Sequence, residues 1–199
     1  MVAPGLPLHD PDASYEQRAA PAIAALAGGE EPVVVVGHSL GAAYAPLVPG
    51  SLLVYLCPAP TGPFADSGLT LRASRAGFPR PAEDGRGVSV WDPDAAVAAM
   101  YGRLPRELAV SVAAALHPGV SAPGAYPLTR HPDVPAALVY ATEDEFFEPE
   151  WERQVAWKVL GVEAIEIPGG HFPMLEAPEE LADLLVETYV QSLGSSPAA

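Results

Sequence analysis

Cysteine and lysine are almost missing: the 199 residues contain one of each, Cys57 and Lys158. One cysteine excludes an internal disulfide and suits a reducing compartment, so the expected location is cytoplasmic. Cys57 follows an apolar run, which fits a packed residue better than a nucleophile. Basic residues are also scarce, and the net charge is −15. Such a surface repels nucleic acid and anionic membranes, so neither is an expected partner; its plainer effect is solubility. No apolar run reaches the length of a membrane span, and no basic start followed by an apolar stretch marks a secretory signal. No group of His, Cys, Asp or Glu has metal-ligand spacing, no glycine-rich phosphate loop is present, and no segment repeats, so no metal or cofactor is expected.

What is present is a hydrophobic content of 49%, enough for a core within one domain spanning 1–199. The stretch Val33-Val34-Val35-Val36-Gly37-His38-Ser39-Leu40-Gly41 organises the chain. Four β-branched residues in a row read as a strand buried on both faces, as inside parallel sheets. Gly-x-Ser-x-Gly follows at once, and Ala42-Ala43-Tyr44-Ala45 can continue as a helix. Strand, sharp turn and helix are the setting of a nucleophile elbow, which strains the serine backbone and lifts Oγ clear of the sheet edge. On this reading Gly37 and Gly41 both supply room for close neighbours. The helix would aim its N-terminal amides and dipole at Ser39.

Around this stretch, α and β patterns alternate. Ser14 and Gln17 are placed as a capping box for a helix with Tyr15, Ala19, Ile23 and Leu26 on one face. Pro21 should kink it or delay its start, and Gly28-Gly29 should end it. Strands are expected over Pro32 to Val36, Ser51 to Cys57, Ala136 to Tyr140 and Val162 to Ile167. Strand, helix, strand alternation implies parallel neighbours. Between Ala59 and His131, proline and glycine become frequent and strands vanish. Two short helical runs there, Asp94 to Tyr101 and Pro105 to Leu116, suggest a small helical cap inserted over about 59–131. Helices are expected over Glu150 to Leu160, stopped by Gly161, and over Pro178 to Tyr189. Residues 192–199 read as a flexible tail.

A serine hydroxyl needs a base, and the base needs a group that fixes its tautomer. Gly169-Gly170-His171-Phe172 follows the last strand, and Asp144 lies just past the Ala136–Tyr140 strand. In a parallel sheet these C-terminal ends share one edge, so Ser39, Asp144 and His171 can converge. Glu143 competes with Asp144 for the role of acid. His38 reads as structural beside the turn, and His9, His117 and His131 have no assigned role. The stretch Glu176-Ala177-Pro178-Glu179-Glu180 reads as a helix start.

Three motifs resemble the α/β-hydrolase superfamily: Val36-Gly37-His38-Ser39-Leu40-Gly41, Asp144 with Phe146-Phe147, and Gly169-Gly170-His171-Phe172-Pro173-Met174. The opening Val2-Ala3-Pro4-Gly5-Leu6-Pro7 also resembles the segment after that family's fourth strand. The likeness covers nearly the whole chain outside the cap and is nearest to compact esterase and lyase-like members. It implies Ser39 as nucleophile, His171 as general base, Asp144 as orienting acid, and the Leu40 amide as one oxyanion donor. Phe64, Trp91, Met100, Tyr101, Phe172 and Met174 are the candidate substrate-binding residues, because cap and histidine loop should face the serine.

The family places further strands and a second oxyanion donor before the nucleophile strand, whereas this chain starts where the fourth strand should end. The expectation is an N-terminally shortened form, with the Val33–Val36 strand as an exposed edge that upstream sequence or a second copy would cover. The expected activity is cleavage of a small, largely apolar carboxylic ester. Carbon–carbon lyase or cyclase chemistry on the same triad, and an inactive binding module, are the alternatives.

Overall fold

The computed structural model describes residues 1–26, 32–69, 73–75, 77 and 81–194. The parallel sheet expected from the alternating pattern is there. It holds β1 (Val34–His38), β2 (Leu52–Leu56), β5 (Ala136–Ala141) and β6 (Ile165–Ile167), in the order β1-β2-β5-β6. Every pairing is parallel, with Val36 opposite Val54, Tyr55 opposite Leu138, and Tyr140 opposite Glu166.

The two central strands are buried because both of their faces are covered. On one face Leu53, Tyr55, Leu138 and Tyr140 pack with Phe64, Trp151 and Val155. On the other, Leu52, Val54, Leu56, Val139 and Ile167 pack with Leu181, Leu184, Leu185 and Tyr189. This two-residue alternation is what pleating requires of a strand sandwiched between layers. Trp151 and Val155 belong to helix α4 (Pro149–Val155), which widens into a π-helical turn over Ala156–Leu160 and stops at Gly161 with φ 70°. The leucines and Tyr189 belong to helix α6 (Pro178–Gly194). That helix runs through residues 192–194, where a tail was expected; 195–199 lie outside the described residues.

Strand β1 departs from the buried-strand reading. It pairs with β2 alone and forms one edge of the sheet, and Val36 is 42% exposed. An edge position agrees with the expectation that Val33–Val36 forms an exposed edge. It also explains why a run of valines is only half covered.

Helix α1 (Tyr15–Ala24) begins on the expected capping box: the Gln17 N–H donates to Ser14 Oγ, and the Ser14 N–H donates to Gln17 Oε1. Pro21 sits within α1, and its buried face carries Arg18 and Ala19 while Ile23 is 40% exposed. Gly28-Gly29, the expected stop, lies outside the described residues. The region after β2 holds helices α2 (Pro93–Met100) and α3 (Arg106–Ala114), close to expectation. It is not free of strands. Ala82–Glu83 (β3) and Ser89–Val90 (β4) form an antiparallel hairpin too short to leave a periodic signal. Among the described residues, no helix is long and apolar enough to cross a membrane.

Candidate active site

Ser39 stands at the C-terminal end of β1 with φ 49°, a left-handed backbone that a side chain with Cβ rarely adopts. The sharp turn that imposes it is made possible at Gly37, where a Cβ would come within 2.8 Å of Ala45 Cβ and 2.9 Å of the Gly41 carbonyl. Gly41 does not share this duty, contrary to expectation: a Cβ there meets nothing within 4 Å. The element that follows also differs from the expected α-helix. It is two tight 3₁₀ turns, Ser39–Ala43 and Ala45–Leu47, which meet at Tyr44, with Pro46 inside the second. Any dipole aimed at Ser39 is therefore that of one short turn, with the Leu40 amide among its free N-terminal donors.

The loop after β5 brings Asp144 inward. Its Oδ1 accepts from the Phe146 N–H at 2.6 Å and the Phe147 N–H at 3.0 Å. Its Oδ2 lies 2.7 Å from His171 Nδ1, with both side chains shut off from water. A carboxylate only accepts, so Nδ1 carries the proton and Nε2 keeps its lone pair. Glu143, the competing acid, turns away and pairs with Arg103.

His171 sits on the loop after β6, within aromatic surroundings. Phe146 stacks on it at 4.1 Å, and Phe147 and Phe172 meet it edge-on at 5.3 and 5.0 Å. The loop is pinned from behind. Glu176 accepts from the Gly170 N–H and from Arg103 Nε, and the Gly169 carbonyl accepts from the Glu143 N–H. Gly169 has φ 101°, and a Cβ on Gly170 would fall within 2.9 Å of Glu145, Glu176 and Arg103. Glu176 is thus more than the helix start the sequence suggested: it clamps the histidine loop.

His38 links serine turn to histidine loop. Its Nε2–H donates to the His171 carbonyl at 2.8 Å, and the two rings stand 4.9 Å apart. Burial, and after it repulsion from His171 when that ring is protonated, push its pKa down to about 4, so it stays neutral beside the site. Ser39 Oγ and His171 Nε2 are not hydrogen-bonded here. In free enzymes this contact often closes only around substrate.

Of the expected substrate-binding residues, Tyr101 and Phe172 reach the site. Their rings are 4.8 Å apart, and Phe172 is 5.3 Å from His38. Met100, Tyr101, Trp91, Phe146 and Phe172 share one apolar cluster with residues of α2 and α3. Phe64 is instead core, edge-on to Tyr55 at 4.9 Å, and Met174 packs among the residues beneath α6. A groove of about 850 Å³ opens between α2 and the loop after β5, walled by Ala95, Ala99, Arg75, Arg103 and Glu145. It reaches Asp144 but neither Ser39 nor His171, so a ligand there would not meet the serine.

One set of potential metal ligands comes together among the described residues: Cys57, Asp144 and His171, with ligand atoms within 4.8 Å of one another. Asp144 and His171 are already committed to each other, and burial pushes the Cys57 thiol up, away from the thiolate a metal needs. The set fits a proton-handling pair better than a metal centre.

A parallel α/β sheet, with a strained serine beside one strand end and a buried His–Asp pair beyond two others, defines the hydrolase-type α/β architecture. The chain belongs to the alpha/beta hydrolase family, whose model matches residues 2–184. No curated protein matches it in sequence. Solved structures similar to it include a pyrethroid hydrolase, with 20% identity and TM-score 0.72, covering 97% of this chain and 86% of that one. Another is polyneuridine aldehyde esterase, with 19% identity and TM-score 0.64, covering 91% and 80%. A third is a methylesterase from Arabidopsis, with 15% identity and TM-score 0.62, covering 89% and 78%.

Proposed function

We propose that this protein is a serine hydrolase cleaving a small, largely apolar carboxylic ester. The observation that carries the reading is the buried His171–Asp144 hydrogen bond at 2.7 Å, on the same sheet edge as a serine held at φ 49°. Ser39 Oγ attacks the ester carbonyl while His171 Nε2 takes its proton. Asp144 stabilises the imidazolium, and the Leu40 N–H donates to the oxyanion. The alcohol leaves with the proton from His171. Water, deprotonated by the same nitrogen, then attacks the acyl group, and the carboxylic acid departs with Ser39 restored. Tyr101, Phe172, Met100 and Trp91 favour an apolar substrate, in keeping with the ester hydrolases the fold resembles. The substrate is a small molecule, and no step calls for a cofactor.

A fluorophosphonate probe should label Ser39, and Ser39→Ala should abolish labelling and turnover of short-chain aryl esters. Labelling that survives Ser39→Ala removes Ser39 as nucleophile. A second reading, an inactive ligand-binding module, draws on the unmade Ser39–His171 hydrogen bond. Ligand binding with no labelling by the probe favours that reading.

A further inference from the structure

A second carboxyl group lies in the core near Asp144. Glu152, on α4, is 0% exposed, and among the described residues neither Oε1 nor Oε2 has a hydrogen-bond partner. Three groups face it electrostatically. Asp144 comes from the loop after β5, and Arg75 from the cap segment whose Ser74 bridges to Phe147. Cys57, at the end of β2, is the third; it is 0% exposed with φ 43°. The Arg75 guanidinium donates from Nε to the Phe147 carbonyl and makes no ion pair with Glu152.

A fully buried carboxyl group with no donor, facing the charge of another, is disfavoured in its ionised form. Asp144 takes the charge because it has donors: two backbone N–H groups and His171 Nδ1–H. Hydrogen bonds to a charged group are stronger than those between neutral groups. Glu152 has none, so holding a proton is its cheaper state. Burial first, then the charge on Asp144, raises its pKa to about 9, against a smaller pull downward from Arg75. The Cys57 thiol is likewise held protonated, chiefly by burial.

We propose that Glu152 is a positioning residue: as a neutral carboxylic acid it leaves Asp144 the sole carboxylate serving His171, and on losing its proton it misaligns the Asp144–His171 pair. The proton goes to solvent, and the new charge has no donor in place to receive it. This rests on the hydrolase reading for its effect on rate, but not for its effect on the pair itself.

The test is a titration of the full chain from pH 6 to 11. Infrared spectra in heavy water should show a protonated-carboxyl stretch at neutral pH that vanishes on alkalinisation, and Glu152→Gln should remove it. The downfield proton resonance of His171 Nδ1–H should shift through the same titration in the parent and stay fixed in Glu152→Gln. Fluorophosphonate labelling of Ser39 should fall about tenfold per pH unit above the transition, while Glu152→Gln stays flat. No carboxyl band at neutral pH in the parent overturns the proposal without recourse to any variant. A His171 resonance blind to the titration overturns it too. Both spectroscopic shifts without labelling at any pH keep Glu152 in its role and reject the hydrolase reading instead.

Discussion

Glu143 and Asp144 are neighbours in the chain and part company in space: Asp144 Oδ2 meets His171 Nδ1 at 2.7 Å, while Glu143 pairs outward with Arg103. The backbone turn decides this, since the Phe146 and Phe147 amides draw the Asp144 carboxylate inward. Asp144→Asn should fold and lower ester turnover about ten-thousandfold, because an amide presents the wrong tautomer partner to His171. Glu143→Gln, which alters an exposed ion pair, should leave turnover within about fivefold. Turnover rates of the two variants side by side check both halves.

Ser39 carries a backbone conformation that suits glycine better than serine. Ser39→Gly and Ser39→Ala should both be inactive, yet differ in stability. Alanine keeps the Cβ and the strain, and glycine sheds it, so the glycine variant should be more stable by about 1 kcal/mol. Urea unfolding midpoints of the two variants decide this, and equal midpoints would mean the turn is unstrained.

Gly37 and Gly41 flank that serine with unequal demands. Gly37→Ala places a Cβ against Ala45 and the Gly41 carbonyl, and should cost roughly 1–3 kcal/mol through overpacking. Gly41→Ala enters open space and should change stability by no more than about 1 kcal/mol. Thermal melts of both variants test the asymmetry.

The sheet and the site were readable to different depths. β2 and β5 announced themselves because strands covered on both faces tolerate only apolar residues. Ser39 and His171 could be placed because small residues mark where backbones crowd or turn. Buried charge was not readable. Arg18 and Glu152 occupy helical positions that look solvent-facing; the burial of Arg18 depends partly on Tyr44, Val120 and Ser121, 26 to 103 residues away, and Glu152 has no hydrogen-bond partner among the described residues. Glu176, half-buried, is held by Arg103, 73 residues away. The turn after Ser39 was misread as an α-helix because the alanines there favour one, while Pro46 and the tight contact at Gly37 impose a shorter path. Phe64 and Met174 looked like pocket walls because apolar character alone does not say which layer a residue enters.

Arg18 is one of those hidden charges: it is 0% exposed, and among the described residues its partners are carbonyls and a hydroxyl rather than a carboxylate. Its guanidinium donates to the carbonyls of Asp10, Ala13, Val120 and Ser121 and to the Tyr44 hydroxyl, tying the first segment and the end of the cap to the serine turn. Arg18→Met leaves those carbonyls unsatisfied and should destabilise the fold by roughly 3 kcal/mol or more. Arg18→Lys, a point donor in place of a fork, should recover only part of that. Denaturant titration of both variants is the check.

His38 sets the acid side of the stability profile. It donates from Nε2 to the His171 carbonyl, and its pKa falls from 6.5 to about 4. In the unfolded chain it takes a proton near pH 6.5; in the fold it refuses one until near pH 4. Unfolding between those values therefore takes up a proton, and stability drops as pH falls through that window. Above pH 6.5 both states are neutral and the term vanishes. Glu152 acts in the opposite sense. Its folded pKa is raised from 4.5 to about 9, so stability drops as pH rises through that range. His38→Gln offers an amide N–H near the same carbonyl and cannot titrate. Between pH 4.5 and 6.5 the two terms oppose each other, so relative to the parent His38→Gln should gain stability as pH falls from 6.5 to 4 and match it above pH 6.5, whereas Glu152→Gln should gain relative to the parent as pH rises from 4.5 to 9. Urea midpoints measured at half-unit pH steps separate the two; an acid slope that persists in His38→Gln would assign the acid sensitivity to another group.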